Sequence, residues 1–190
     1  GLNGNNMYAY CNNNPVMYVD PNGDLSLKGA WDMLKHFFTG GGEDLNQGDN
    51  SNIVESLRES PTMNSFIVSA VAQYINTGNT TLEAEEGLKF TKEDNIDAWL
   101  ALRRCSCVAT VTELTIKDYK CNTLDERLRG RTIYVVTVEI TDTYDFNTGN
   151  DTGDGIGSIL NNIAFWFQDK GIGVKYDTKI TFTKIVDPRI

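Results

Sequence analysis

An α+β fold is predicted, with N-terminal helices packed on a small antiparallel sheet and one late helix between that sheet's last two strands. Three observations predict it. Apolar residues recur at helical spacing up to about residue 102. Beyond that point they alternate with a period of two, the pattern of half-buried strands. The composition, 40% hydrophobic and 10% aromatic, belongs to a chain with a packed core. Helices first and strands afterwards make the class α+β.

Taken in order, residues 1–24 are polar and turn-rich. Asn12-Asn13-Asn14-Pro15 and Asp20-Pro21-Asn22-Gly23 are turn signals on either side of one short apolar run, Val16-Met17-Tyr18-Val19. That segment has too little apolar surface to fold alone, so it is set apart from a domain at 25–190. There, Leu27, Trp31, Leu34 and Phe38 recur at i, i+4, i+7 and i+11 and predict one apolar helix face. Gly40-Gly41-Gly42 stops this helix and begins a linker to about Asn50. Asn52-Ile53-Val54-Glu55 resembles the capping box of a short helix. Ser60-Pro61, a cap residue with proline at the first helical position, starts a longer one. Its apolar face is Met63, Phe66, Ile67, Ala70, Val71 and Tyr74, and Gly78 ends it. Residues 97–102 form a last short helical stretch.

A strand is expected from Cys107 to Ile116, then a polar connection over 118–130. The clearest strand covers 132–142, with Tyr134, Val136, Val138 and Ile140 on one face and Thr137, Glu139 and Thr141 on the other. A glycine-rich loop follows it. Ile156, Leu160, Ile163 and Phe167 mark the late helix, which Gly171 ends. The last strand, about 176–186, turns Tyr176, Ile180 and Phe182 inward and Lys179, Thr181 and Thr183 outward.

Charge and cysteine content narrow the function. Lys and Arg number 17 against 26 Asp and Glu, a formal charge of −9 that repels phosphate backbones and anionic lipid. Nucleic acid is therefore not an expected partner; Arg103, Arg104, Arg127, Arg129 and Arg131 form only a modest basic cluster beside Asp125 and Glu126. No stretch approaches the roughly 18 apolar residues of a membrane span. Residues 1–6 have neither the basic region nor the apolar run of a signal peptide. The chain opens in mid-motif, and it is expected to be a piece of a longer protein. Cysteines stand at 11, 105, 107 and 121, too sparse for a disulfide scaffold. Cys105 and Cys107 would face the same way on a strand, with Cys121 able to approach. The sole histidine, His36, is distant in sequence, so buried, inert thiols are favoured over zinc and no metal site is predicted.

One loop can carry chemistry. On the face of the clearest strand that bears Tyr134, Val136, Val138 and Ile140, the next residue is Asp142, a carboxylate aimed at the rim of the core. Tyr144, Asp145, Asn147, Asp151 and Asp154 follow among glycines at 149, 153, 155 and 157. Clustered carboxylates raise one another's pKa values, which suits general acid–base or metal-assisted chemistry. The same residues also make an ordinary strand-to-helix connection, with Asp154 or Ser158 as helix cap, or a ligand clamp. The spacing does not fit a calcium-binding EF-hand loop. The chain has no phosphate-binding loop, dinucleotide fingerprint or His-Glu-x-x-His motif, and its sequence names no cofactor. His36, between Lys35 and Phe37 on a helix, reads as a boundary residue.

Two resemblances add to this. Tyr8-Ala9-Tyr10-Cys11-Asn12-Asn13-Asn14-Pro15-Val16-Met17-Tyr18-Val19-Asp20-Pro21-Asn22-Gly23 resembles the closing motif of the RHS/YD-repeat-associated core. The resemblance implies an upstream repeat shell and a variable, often toxic, C-terminal domain released or displayed outside the producing cell. It also implies self-cleavage near Leu25 assisted by Asp20, although here Asp24 precedes Leu25 and the upstream partner aspartate is missing. A cognate immunity protein is the partner a toxin implies.

Asp142-Thr143-Tyr144-Asp145-Phe146 is similar to the Asp-x-Tyr-Asp element of the colicin M family, bacteriocins that hydrolyse the lipid-linked peptidoglycan precursor. Asp142, Tyr144 and Asp145 match, whereas the family's His-Arg pair is replaced by Asp151 and Thr152. Two functions are thus expected to compete. One is an effector enzyme with Asp145 as general base or metal ligand, Asp142 as its electrostatic partner and Tyr144 orienting substrate. The other is a non-enzymatic cell-surface or partner-binding module.

Overall fold

A computed structural model describes residues 27–115, 132–144 and 167–188. Helix α1 (Lys28–Thr39) leads to strand β1 (Leu45–Gln47), helices α2 (Asn52–Glu59) and α3 (Pro61–Thr77), and strands β2 (Thr81–Glu83) and β3 (Leu88–Lys89). Helix α4 (Ile96–Ala101) precedes the long strands β4 (Arg104–Thr115), β5 (Thr132–Tyr144) and β6 (Tyr176–Val186). The class is α+β, as expected. Residues 1–26, which hold the RHS-like motif, Asp20 and Leu25, lie outside the described residues, as do 116–131 and 145–166.

The strands lie in the order β1-β6-β5-β4-β2, and β3 also pairs with β4. The sheet is mixed, which corrects the antiparallel expectation: β1 runs parallel to β6, with Leu45 opposite Thr178 and Gln47 opposite Ile180. This strand falls within the expected linker at 40–50. Its three residues are too few to display a period of two. Beyond Gln47, side chains close the edge of β6. Asp49 Oδ1 accepts from the Thr183 N–H at 3.0 Å, while Arg58 donates to the Thr183 carbonyl at 3.1 Å and also to Asp49. Such cover hides an edge that would otherwise template pairing with another chain.

On the opposite flank, β2 and β3 are successive pieces of one edge along β4, separated by a turn at 84–87. Gly87 permits the turn with φ 78°; a Cβ there would meet the Cys105 carbonyl oxygen at 3.1 Å.

The helices cover one face of the sheet, with α3 against β4 and β5 and with α1, α2 and α4 packed together. Met33, Phe37, Ile53, Leu57, Met63, Ile67, Phe90, Ile140, Ile180 and Phe182 are fully buried between the layers. The α3 face is the expected one: Met63, Phe66, Ile67, Ala70 and Val71 are buried, and Gly78 ends the helix at φ 75°. Its cap is also as expected, since Ser60 Oγ accepts from the Met63 N–H at 3.1 Å. That hydroxyl in turn donates to Asp94 at 2.7 Å, and Asp94 accepts from the Thr62 N–H at 2.7 Å. Ser60→Ala is expected to cost about 1–2 kcal/mol, read from the urea midpoint at unchanged m.

Two helical details differ from expectation. Helix α1 buries Ala30, Met33 and Phe37 beside Leu27, leaving Trp31, Leu34 and Phe38 half-buried, so its inward face is turned from the expected one. The rotation is set at its start, where the Gly29 and Ala30 N–H groups bond to Asp97. Gly29 lies so close to α2 that a Cβ would fall 2.7 Å from Ile53 Cα. The cap of α2 is Ser51, not Asn52, whose side chain donates to Asp32 instead.

The long strands follow the predicted alternation and extend it. β4 begins at Arg104 and buries Cys105, Cys107, Ala109 and Val111. β5 continues past Asp142 to Tyr144. In β6, Tyr176, Thr178, Ile180 and Phe182 are buried. Of the expected late helix, residues 167–169 are described and helical, and Gly171 follows at φ 69°.

Candidate functional site

The end of β5 brings Asp142 and Tyr144 to one side of the sheet, two residues apart on the inward face. Asp142 stands opposite Thr178 of β6, and Tyr144 opposite Tyr176. Asp142 is half-buried at the rim, with Oδ1 accepting from the Thr143 N–H at 2.9 Å. Its charge helps raise the pKa values of Cys105, Tyr144 and Tyr176, which places the carboxylate among those groups.

Tyr144 is turned into the core. Its ring stacks on Tyr176 at 5.2 Å and 27°, and Phe37 meets it edge-on at 6.3 Å. Burial pushes its phenol well above the ordinary value, and the Asp142 and Asp97 charges add to the rise. The Tyr176 phenol is raised first by burial and then by Tyr144 and Asp142, and it donates a 2.7 Å hydrogen bond to the Met33 carbonyl of α1. Both rings therefore remain neutral at physiological pH. The third residue of the element, Asp145, lies outside the described residues, as does the glycine-rich stretch to 157.

Beside Asp142, the ends of the strands and the turn at 84–87 enclose a groove of about 830 Å³. Asp44, Glu85, Glu86, Asp142 and Asp177 bring carboxylates to its walls; Arg104 and Lys179 are the cations there. Part of this polarity is used internally. Thr143 Oγ1 donates to Asp177 at 2.7 Å, and Lys179 pairs with Glu139 at 2.7 Å across β5 and β6. Sequence reading singled out only Asp142 of these carboxylates, because the others arrive from three separate places, the chain before β1, the turn at 84–87 and β6.

The described thiols are unsuited to nucleophilic work. Cys105 and Cys107 are buried and free. Burial pushes Cys107 up to about 12, and it raises Cys105 further with help from Cys107 and Asp142. Cys121 lies outside the described residues. Among the described residues, no group of three or more His, Cys, Asp or Glu side chains is arranged to hold a metal ion. His36 sits half-buried near the end of α1, its Nε2 donating to the Glu43 carbonyl at 2.7 Å and its ring edge-on to Tyr176 at 4.6 Å.

Sequence reading missed Asp97. This carboxylate, 1% exposed, accepts from the Gly29 N–H at 3.0 Å, the Ala30 N–H at 2.7 Å and the Ser56 hydroxyl at 2.6 Å. It joins α4 to the start of α1 and the middle of α2. Burial raises its pKa above the ordinary 3.8, and the three hydrogen bonds oppose that rise. In the sequence it looks like an ordinary acidic residue in a first helical turn, behind the Asn95 cap.

No protein-family model matches the chain, and no curated protein matches it. Among solved structures, PaeM, a colicin M-like bacteriocin produced by Pseudomonas aeruginosa, aligns with a TM-score of 0.41 and 14% identity over 85% of this chain. The alignment covers 52% of that bacteriocin, so this chain spans about half its length.

Proposed function

We propose that the chain is the toxin-like effector domain of an RHS-repeat protein, a hydrolase whose reacting groups sit at the end of β5. The observation that carries this reading is the placement of Asp142 on the inward face of the last rungs of β5, lining the 830 Å³ groove, two residues before Tyr144 and three before Asp145. In it, Asp145 takes the proton of an attacking water and that proton passes on to the leaving oxygen; in the metal-assisted variant Asp145 would instead be a ligand, and the metal would supply Lewis-acid activation of the water. Asp142 supplies the neighbouring negative charge that keeps Asp145 basic. Tyr144, buried against Tyr176, holds the strand end instead of touching substrate. The domain acts outside its producer as part of a larger secreted or surface protein, with an upstream repeat shell and a cognate immunity protein as partners. No helix among the described residues is long and apolar enough to cross a membrane.

The competing reading, a partner-binding module, is favoured by one observation: the Tyr144 ring packs into the core and away from the groove. Bacterial growth separates the two. The 190-residue chain would be expressed with and without an export signal, beside Asp142→Ala and Asp145→Ala. Growth arrest only on export, weakened about 10²- to 10⁴-fold by Asp145→Ala, is the result expected of the enzyme. Unimpaired growth with every soluble version sinks the enzyme reading in favour of the module.

A further inference from the structure

We propose that Tyr176 is the positioning residue of this site, fixing the end of β5 and tying it to helix α1; the inference rests on the reading of Asp142 and Asp145 as the reacting carboxylates. Tyr176 and Tyr144 are cross-strand partners at the last described rung of the β5–β6 ladder. The end of a ladder frays unless side chains hold it, and cross-strand aromatic pairs are one such clasp in a sheet. Here the clasp has a second anchor. The Tyr176 hydroxyl reaches 2.7 Å to the Met33 carbonyl in mid-helix, and the edge of His36, one turn further along α1, rests on the Tyr176 ring at 4.6 Å. Phe37 then meets Tyr144 itself. A single phenol thus grips the rung through its face and the helix through its oxygen.

The consequence reaches Asp142 through the backbone. Asp142 precedes Tyr144 by two residues on the same strand, so its carboxylate depends on where this rung is held. Misplacing a reacting group by about 1 Å costs roughly 10²-fold in rate. Tyr176 acts only by holding, since its hydroxyl is buried and bonded to Met33.

The test uses the whole chain carrying 3-fluorotyrosine at position 144, with Tyr176→Phe and Tyr176→Leu. Tyr176→Phe keeps the stack and removes only the bond to Met33. It is expected to move or broaden the fluorine resonance at 144 and to weaken growth arrest about 10- to 100-fold, with Tm within about 4 °C of wild type. Tyr176→Leu, which loses the stack as well, should weaken it further. An unmoved resonance in Tyr176→Phe overturns the proposal, and so does a moved resonance with undiminished growth arrest. If wild type does not arrest growth, or Asp142→Ala and Asp145→Ala arrest it as wild type does, the active-site reading falls and the proposal with it. Failure of Tyr176→Phe alone leaves that reading standing.

Discussion

Asp97→Ala is expected to destabilise the fold by about 3–5 kcal/mol, because it strands three buried donors at once. The Gly29 and Ala30 N–H groups begin α1, where helix geometry supplies no internal partner, and the Ser56 hydroxyl is buried with them. The carboxylate sits directly against Gly29, where a Cβ would meet Asp97 Oδ2 at 2.7 Å. Urea denaturation measures the loss, and a decrease under about 1 kcal/mol would contradict it. Asp97→Asn, which keeps one acceptor oxygen, should lose less.

The same residue gives a signed dependence on pH. Burial outweighs the hydrogen bonds, so the folded-state pKa lies above the unfolded one. The contribution from its titration is therefore fully present below pH 3.8 and is lost as pH rises through the raised folded value. The stability of wild type relative to Asp97→Asn should accordingly fall as pH rises from about 4 towards neutrality.

Phe37→Ala is expected to cost about 3–5 kcal/mol, the range for deleting a fully buried aromatic ring. Phe37 is 0% exposed and touches more than one layer of the structure. Its ring meets Phe38 at 5.1 Å and Tyr144 at 6.3 Å, and its carbonyl accepts from the Val174 N–H at 3.0 Å. The backbone at Gly173 comes so close beneath it that a Cβ there would fall 2.0 Å from the ring. Collapse into the cavity is restricted on that side, which keeps the cost near the top of the range. Near-UV circular dichroism should weaken with the midpoint as Tyr144 loses its edge contact. A loss below about 1.5 kcal/mol would mean that the neighbouring rings close the gap.

The candidate site was partly legible in the sequence. Continuing the alternation of Tyr134, Val136, Val138 and Ile140 by one step puts Asp142 on the inward face, and β5 does so. One step further the same rule places Tyr144 inward, but the sequence also reads there as the start of a loop, because Asp145, Asn147 and the glycines that follow are turn formers. Pairing with Tyr176 extends β5 through that position. The groove was not legible at all, since Asp44, Glu85, Glu86 and Asp177 become neighbours of Asp142 only when the strand ends assemble.

By itself the sequence determined helix α3, with its Ser60-Pro61 start and Gly78 stop, and the inward faces of β5 and β6. These are local matters: a cap, a proline, a left-handed glycine and a period of two are each complete within a few residues. The tertiary structure alone decided the parallel edge at β1, the divided edge of β2 and β3, the rotation of α1, and the joining of β6 to α1 through Tyr176. The reason is distance along the chain. Asp97 turns α1 by bonding to residues 67 and 68 positions away, and Tyr176 finds its carbonyl partner 143 positions away, so no local stretch of sequence contains both halves of either contact.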